Sequence, residues 1–379
     1  MSYIGFELDQ DMQSLRKLIK DFTDREIRPI AEKMDQEGLY IPEELWQKMG
    51  HMGLFGFTVG EEYGGNNLGY LALAIAIEEV SKGAGVMYSP VAGQNGAFNA
   101  PIIHLGTPEQ KKKYIPGVVA GTMKGAFGLT EPNVGSDAGG MQTTAIDAGD
   151  HYIINGQKTF ITNADKADFI VTFCRSADGP ICLLVDKDAP GLSVGPTERK
   201  MGLHGIGLNS VFYNDCIVPK ENLLGEVGKG FDAAKASLAE ARMGVAAGAL
   251  GLAQEAIDQA VAYSKQRIQF GKPISQFQNT QFVLAECQTK LEAARLLVYK
   301  SAAAMDAGKH ELYMASMAKY YAAEVANDVA RKCLQVFGGY GYCAGYAVER
   351  IYRDLKVFEI FDGTDSVHKM IISKWMGVR

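Results

Sequence analysis

Five short segments of the sequence hold side chains that could bind a nucleotide or move a proton. They are residues 128–137 (GLTEPNVGSD), 155–163 (NGQKTFITN), 267–271 (RIQFG), 335–341 (QVFGGYG) and 361–364 (FDGT). Arginine can pair two phosphate oxygens at once, glycine lets backbone approach a ligand closely, and a carboxylate can take a proton. Taken alone, the first segment is an ordinary turn, because Pro, Asn and Gly are common turn residues.

Several other chemistries are disfavoured. There is no G-x-G-x-x-G fingerprint and no P-loop, because Gly202, Gly205 and Gly207 are spaced differently and lie among predicted strands. The histidines show no metal-ligand spacing, so no metal site is predicted. The net charge of -6 and the 22% of charged residues do not favour a nucleic acid or a membrane surface as partner.

The elements that must position these segments begin with helices. Apolar residues recur at spacings of three and four from residue 10 to about 31, which predicts an amphipathic helix. Further helices are predicted at residues 42–49, 70–81, 97–105 and 108–120.

A β region is predicted from about residue 125 to 230. Strands at 152–154 and 157–162 flank Asn155-Gly156, and an Asn-Gly pair between such runs predicts a hairpin turn. Further strands are predicted at residues 167–175, 181–186 and 210–218.

Long helices return after residue 230. They are predicted at 231–264, 275–307 and 311–337, with a shorter helix after residue 364. The short connections between the long helices predict antiparallel neighbours in a bundle.

The five segments, in this order and in these settings, resemble the acyl-CoA dehydrogenase family over essentially the whole chain. The resemblance implies a mainly α fold with a central β domain. Expected are an N-terminal helical domain (1–122), a middle β-barrel that contacts flavin and acyl-CoA (123–230), and a C-terminal four-helix bundle that carries the base, FAD contacts and oligomer contacts (231–379). It also implies FAD, an acyl-CoA substrate, an electron-transferring flavoprotein as partner, and a homotetramer built as a dimer of dimers.

The same resemblance assigns residues to the FAD site. In family members Trp commonly stands where this chain has Phe160, and either residue supplies an aromatic face. Ser136 is expected to contact either the flavin diphosphate or the CoA moiety. Expected around the flavin are Phe127, Leu129, Thr130, Ser136, Phe160, Ile161 and Thr162. Expected around the diphosphate, adenosine and ribose, partly from a neighbouring subunit, are Arg267, Gln269, Phe270, Gln278, Gln335, Gly338, Gly339, Thr364 and Asp365.

Asp362 is the catalytic base implied by the resemblance, where most members have Glu. The base takes the proton α to the thioester carbonyl while the β hydride leaves toward the flavin. Asp is shorter by about 1 Å, and a misplacement of about 1 Å can cost roughly a hundredfold in rate. The difference in basicity, with a pKa of about 3.9 against about 4.3, is minor. We therefore expect room for a bulky α carbon, as in a branched or cyclic acyl group such as cyclohexanecarboxyl-CoA.

Some relatives take the base from the first bundle helix, but that position is Ala241 here, with Glu240 one residue earlier and turned about 100° away. Residues expected near the substrate are Ser136, Arg242, Gly363, Tyr88 and Ser89.

Other activities remain open at this stage. The fold could serve an enoyl-CoA reductase, a non-standard eliminating flavoprotein, or a catalytically silent homologue that binds acyl-CoA and flavin. The N-terminus lacks a basic start followed by an apolar run, and no apolar run approaches the roughly 18 residues of a membrane span, so a cytoplasmic location is expected.

Overall fold

The computed structural model describes residues 8–378, and it opens with a helical region. The predicted helix at 10–31 continues to Glu37 through a π-helical turn at Thr23–Ile27. The helix predicted from residue 97 is α-helical only from Ala100, because a π-helical segment, Gly93–Asn99, precedes it. The helices of this region are α1 (Gln10–Phe22), α2 (Arg28–Glu37), α3 (Glu43–His51), α4 (Gly69–Gly83), α5 (Tyr88–Ala92), α6 (Ala100–Leu105) and α7 (Pro108–Val119).

The middle of the chain forms a curled seven-stranded sheet. Its strands pair in the order β1-β4-β2-β3-β7-β6, with β5 on the other side of β4. Most pairs are antiparallel, but β4 runs parallel to both β1 and β2. Buried apolar side chains fill both faces of β4, so the sheet has a core on each side. The strands are β1 (Gly125–Gly128), β2 (Thr144–Asp147), β3 (His151–Thr162), β4 (Phe169–Ser176), β5 (Gly179–Asp186), β6 (Leu192–Thr197) and β7 (Leu208–Pro219).

The predicted hairpin at Asn155-Gly156 is wrong, because β3 runs straight through both residues. The Asn155 side chain hydrogen-bonds across to Asp215 of β7, donating to the carboxylate at 2.9 Å and accepting from the backbone amide at 2.9 Å. The strand register shifts here, and Gly156 takes φ +149°. The pair therefore forms a bulge between long strands, and the hairpin before β3 turns at residues 148–150 instead.

The rest of the chain is a helical bundle, as predicted. A two-stranded ribbon, β8 (Ile268–Gln269) and β9 (Lys272–Pro273), joins the first two long helices. The bundle helices are α8 (Gly230–Gln266), α9 (Gln278–Asp306), α10 (Leu312–Phe337), α11 (Ala347–Leu355) and α12 (Asp365–Trp375). Among residues 8–378, no helix is both long enough and apolar enough to cross a membrane.

Helix α4 joins the N-terminal region to the bundle by packing against α1, α8 and α9. Its buried Glu78 accepts hydrogen bonds from Arg295 at 3.0 Å and from Tyr299 at 2.6 Å, both on α9. Burial alone would raise the pKa of Glu78, but the nearby Arg295, Lys82 and Arg16 cations outweigh it and hold the pKa below its usual range. This paired carboxylate ties α4 to α9.

Candidate active site

The segment that carries Asp362 is a tight turn before α12. Asp362 has φ +52° and Gly363 has φ +100°, so two successive residues adopt left-handed backbone. A left-handed non-glycine residue costs of order 1 kcal/mol or more and persists only when its surroundings impose it. Thr364 then begins α12 by accepting a hydrogen bond from the amide of Val367 at 3.4 Å.

Two buried cations from different helices hold this turn. Arg242 of α8 donates from Nε to the carbonyl oxygen of Asp362 at 3.1 Å. Lys319 of α10 donates from Nζ to the carbonyl oxygen of Gly363 at 2.8 Å. The sequence pointed to Arg242 but not to Lys319. The sequence feature that could have revealed Lys319 is a lysine placed among alanines of α10 that are buried.

The Asp362 side chain is free to act on a ligand. In the described part of the chain, neither its carboxylate nor its backbone amide has a hydrogen-bond partner. Burial raises the pKa of Asp362 above its ordinary value, and the cations of Lys319 and Arg242 oppose that rise. The site therefore offers an unpaired carboxylate beside an unused N–H donor.

Tyr88 borders this turn from α5. Its ring lies 4.9 Å from the Phe358 ring and 5.6 Å from the Phe361 ring, measured between centroids. Burial raises the pKa of Tyr88, and the charge of Asp362 adds to that effect. Ser89 follows it and is half-buried. The acyl-lining roles predicted for Tyr88 and Ser89 stay predictions.

The sheet presents the residues predicted to face the flavin. The amide of Thr159 donates to the carbonyl of Thr130 at 2.9 Å, which ties residues 129–131 to β3. Phe160 is 61% exposed in left-handed backbone (φ +56°), whereas Ile161 is buried in the sheet core. For Ile161, only the backbone can therefore face a ligand. Phe127, Leu129, Thr130 and Thr162 are half-buried, and Ser136 is exposed.

A buried ion pair that the sequence did not reveal supports this wall. Lys158 of β3 reaches Glu131 at 2.7 Å, and both side chains are almost fully buried. Glu131 also accepts from the amides of Gln142 at 2.6 Å and Thr143 at 2.9 Å. The pair fixes the loop after β1. The sequence feature that could have revealed this ion pair is a lysine at an inward-facing position of a strand.

A second group of predicted FAD residues surrounds a cavity of about 510 Å³ at the end of α10. The sheet residues Phe127, Leu129 and Phe160 are absent from its described lining. The predicted residues that line it are Arg267, Gln269, Gln335, Gly338 and Gly339.

The chemistry of this cavity fits a dinucleotide phosphate. Within residues 8–378 the Arg267 side chain forms no ion pair, and its guanidinium lies 5.4 Å from the centre of the Tyr340 ring. A Cβ added to Gly338 or Gly339 would meet nothing within 4 Å, so the backbone is open to a close ligand. An unpaired arginine, side-chain amides and bare backbone are the donors that a diphosphate needs.

Four predicted residues lie outside that cavity lining. Phe270 is 94% exposed on the ribbon, and Gln278 is exposed at the start of α9. Thr364 and Asp365 follow Asp362 and Gly363 at the start of α12, where Asp365 Oδ1 lies 3.7 Å from Lys319 Nζ. Among the described residues, no cluster of three or more His, Cys, Asp or Glu side chains could hold a metal ion.

Three family models match the chain along nearly its whole length. The acyl-CoA dehydrogenase N-terminal domain matches residues 9–122, the middle domain 126–216 and the C-terminal domain 228–377. The chain belongs to the acyl-CoA dehydrogenase family. It is therefore an oxidoreductase that acts on the CH–CH group of acyl-CoA thioesters and uses FAD.

Individual members of the acyl-CoA dehydrogenase family are similar over almost their full length. Subunit CarC of the caffeyl-CoA reductase-Etf complex of Acetobacterium woodii is 43% identical, over 95% of this chain and 96% of that protein. The structure of butyryl-CoA dehydrogenase from Megasphaera elsdenii has a TM-score of 0.95, 38% identity and full coverage of both chains. A glutaryl-CoA dehydrogenase of Mycobacterium smegmatis, solved in complex with FADH2, has a TM-score of 0.94 and 30% identity, over 98% of this chain and 96% of the other.

Proposed function

We propose that the protein dehydrogenates an acyl-CoA thioester between its α and β carbons, with Asp362 as the base. The observation that carries this proposal is the turn at Asp362. Among the described residues the carboxylate of Asp362 is unpaired, while Arg242 and Lys319 hold the carbonyl oxygens of Asp362 and Gly363. A carboxylate without a structural partner, in a strained and supported turn, fits a group that acts on a ligand.

Different residues of this chain would remove the proton, stabilise the thioester carbonyl and bind FAD. Asp362 takes the proton from the α carbon. The Asp362 amide, which has no acceptor among residues 8–378, can donate to the thioester carbonyl and stabilise the charge that develops there. Phe160 would lie against the flavin ring, and Arg267, Gln335 and Gly338 would hold the diphosphate. The chemistry that FAD supplies when bound is acceptance of the β hydride.

Aspartate in place of the longer glutamate favours a substrate whose α carbon lies close to the turn. An α-branched or cyclic acyl group, such as cyclohexanecarboxyl-CoA, would bring its α carbon nearer than a linear chain would. Tyr88 and Phe361 border the turn, and their rings offer flat apolar surfaces. These contacts suit a ring or a branch.

Two assembly features belong to the same proposal. The cavity around Arg267 and the sheet face around Phe160 are separate in one chain. A FAD that uses both would therefore bridge two subunits, as in the proposed homotetramer. An electron-transferring flavoprotein is the proposed redox partner, supported by the Etf complex in which the relative CarC is a subunit.

Reduction of an enoyl-CoA is the second candidate, and the 43% identity to a subunit of a caffeyl-CoA reductase complex favours it. The two functions use the same groups in opposite directions. Asp362 would then return a proton to the α carbon.

The test of function is product analysis with purified, FAD-loaded protein. Linear, branched and cyclic saturated thioesters are offered with an artificial electron acceptor, and the corresponding enoyl thioesters are offered with a reduced dye. We expect saturated thioesters to lose two hydrogens and gain an α,β double bond. Turnover of the enoyl thioesters alone would assign reduction, and turnover of none would refute both.

A further inference from the structure

Lys319 is a fully buried lysine in the centre of the bundle. It is 0% exposed, and its neighbours on α10, Ala315, Ala318, Ala322 and Ala323, are buried too. Burial of an ammonium group is costly unless the group is paired and hydrogen-bonded. A lysine at this position therefore needs a compensating role.

The contacts of Lys319 all point to the turn at Asp362. Its Nζ donates to the Gly363 carbonyl at 2.8 Å, and the nearest carboxylate oxygen, Asp365 Oδ1, lies 3.7 Å away. An ammonium group carries three donors, and a single hydrogen bond is formed within residues 8–378. Lys319 therefore forms an ion pair with Asp365 without a hydrogen bond between them, and its charge acts on the carboxylate of Asp362 as well.

His368 closes the turn from behind. It is fully buried, neither ring nitrogen has a hydrogen-bond partner among the described residues, and a Cβ added to Gly363 would lie 3.2 Å from its ring. Burial, aided by Lys319 and Arg242, lowers the pKa of His368 to about 3, so the ring is neutral. The ring therefore limits the room behind Gly363, and the hydrogen bond from Lys319 sets where the Gly363 carbonyl points.

We propose that Lys319 is a positioning residue for the reaction of Asp362. Its ammonium group fixes the Gly363 carbonyl, which aims the Asp362 side chain, and its charge favours the ionised form of the Asp362 carboxylate. The inference rests on the proposed role of Asp362 as base, and it adds a residue that acts through the turn.

The charge of Lys319 also gives the site a pH range. Burial has the largest effect and lowers the pKa of Lys319 to about 8. The negative charges of Asp365, Asp362 and Glu359 oppose this pKa shift, and the positive charge of Arg242 adds to it. Asp362 must be ionised and Lys319 protonated in the active form. Activity therefore rises with pH as Asp362 loses its proton and falls again as the pH passes about 8.

The experiment compares kcat and KM across pH for the FAD-loaded wild type and three variants. Lys319→Met removes the donor and the charge at similar volume. Lys319→Gln keeps an N–H donor but no charge. Asn327→Ala is the control, because Asn327 lies on the same helix and donates to the carbonyls of Ala323 and Leu355, and within residues 8–378 it forms no hydrogen bond with the turn.

We expect kcat of Lys319→Met to fall about 10- to 100-fold with little change in KM, as misplacement of a catalytic group by about 1 Å would cause. Its acid limb should move to higher pH, because a nearby positive charge is gone, and its alkaline limb should disappear. Lys319→Gln should regain part of kcat but keep the shifted acid limb. Asn327→Ala should keep the wild-type pH profile even if its melting temperature falls.

A wild-type profile in Lys319→Met, or a shifted profile in Asn327→Ala, would overturn the inference. Asp362→Asn separates it from the proposed function. If that variant turns over normally, the base assignment fails. If it is inactive while Lys319→Met keeps the wild-type profile, only the positioning role of Lys319 is wrong.

Discussion

At the residue scale, Asp362 is a short carboxylate held in a strained backbone conformation. Its left-handed φ of +52° and the carbonyl contacts from Arg242 and Lys319 define where a short side chain can reach. Sequence resemblance identified this carboxylate and Arg242. It could not reveal Lys319 or His368, because burial of a polar side chain depends on which helices pack together, and those contacts join residues far apart in the chain.

Lengthening the side chain of Asp362 tests the proposal that aspartate makes room for a bulky α carbon. Asp362→Glu should lower kcat on α-branched or cyclic thioesters by roughly tenfold to a hundredfold, because the carboxylate would overlap the position of the α carbon. The same variant should gain on linear thioesters such as butyryl-CoA. Steady-state assays on a matched linear and cyclic pair measure the ratio. An equal loss on both would show that Asp362 does not select for α-carbon bulk.

At the scale of elements, periodicity predicted most helices, because apolar spacing follows directly from which face is buried. Runs of β-branched and aromatic residues predicted β3, β4, β5 and β7, but β1, β2 and β6 were missed. The Asn155-Gly156 turn was the clear error. A local turn signal competes with cross-strand contacts that local sequence does not show, and here Asn155 bonds to Asp215 instead. Because β3 continues through Asn155 and Gly156, it carries both the exposed Phe160 and the buried Lys158 that pairs with Glu131.

Gly156 should be intolerant of a side chain. Its φ is +149°, and an added Cβ would lie 2.6 Å from Thr143 Oγ1 and 2.8 Å from Thr143 Cα. We expect Gly156→Ala to destabilise the protein by about 1 to 3 kcal/mol, which calorimetry would record as a lower melting temperature.

Gly149→Ala is the matched control for that substitution. Gly149 also has positive φ, at +101°, but an added Cβ would meet nothing within 4 Å. Gly149→Ala should therefore destabilise the protein less than Gly156→Ala does, because only the cost of placing alanine at a positive φ remains. Equal losses would mean that contact with Thr143 does not matter.

At the scale of the whole molecule, the predicted FAD residues divide between the sheet face and the cavity at the end of α10. The resemblance named both sets, but a single sequence cannot tell which chain supplies each half, because an interface between copies leaves no pattern distinct from ordinary surface. Exposed Phe270, at 94%, and Tyr342, at 91%, lie near the cavity half. Large exposed aromatic side chains are typical of interfaces.

The cavity lined by Arg267 should control how tightly the protein retains FAD. Arg267→Gln should weaken FAD binding by roughly tenfold or more, because a charge-assisted phosphate contact is lost. The flavin-to-protein ratio after gel filtration measures it. Arg331→Gln is the control, since Arg331 is an exposed arginine that pairs with Asp328. Full FAD retention by Arg267→Gln would exclude the cavity as the phosphate site.

The most direct test of the base assignment is an anaerobic single turnover with no external electron acceptor. FAD-loaded wild type and Asp362→Asn are mixed with the best saturated thioester, and the flavin absorbance is followed. We predict rapid bleaching by the wild type, and retained FAD with bleaching slower by about 100-fold or more in Asp362→Asn, the scale of a lost general base. Equally fast bleaching in both proteins would contradict the assignment of Asp362.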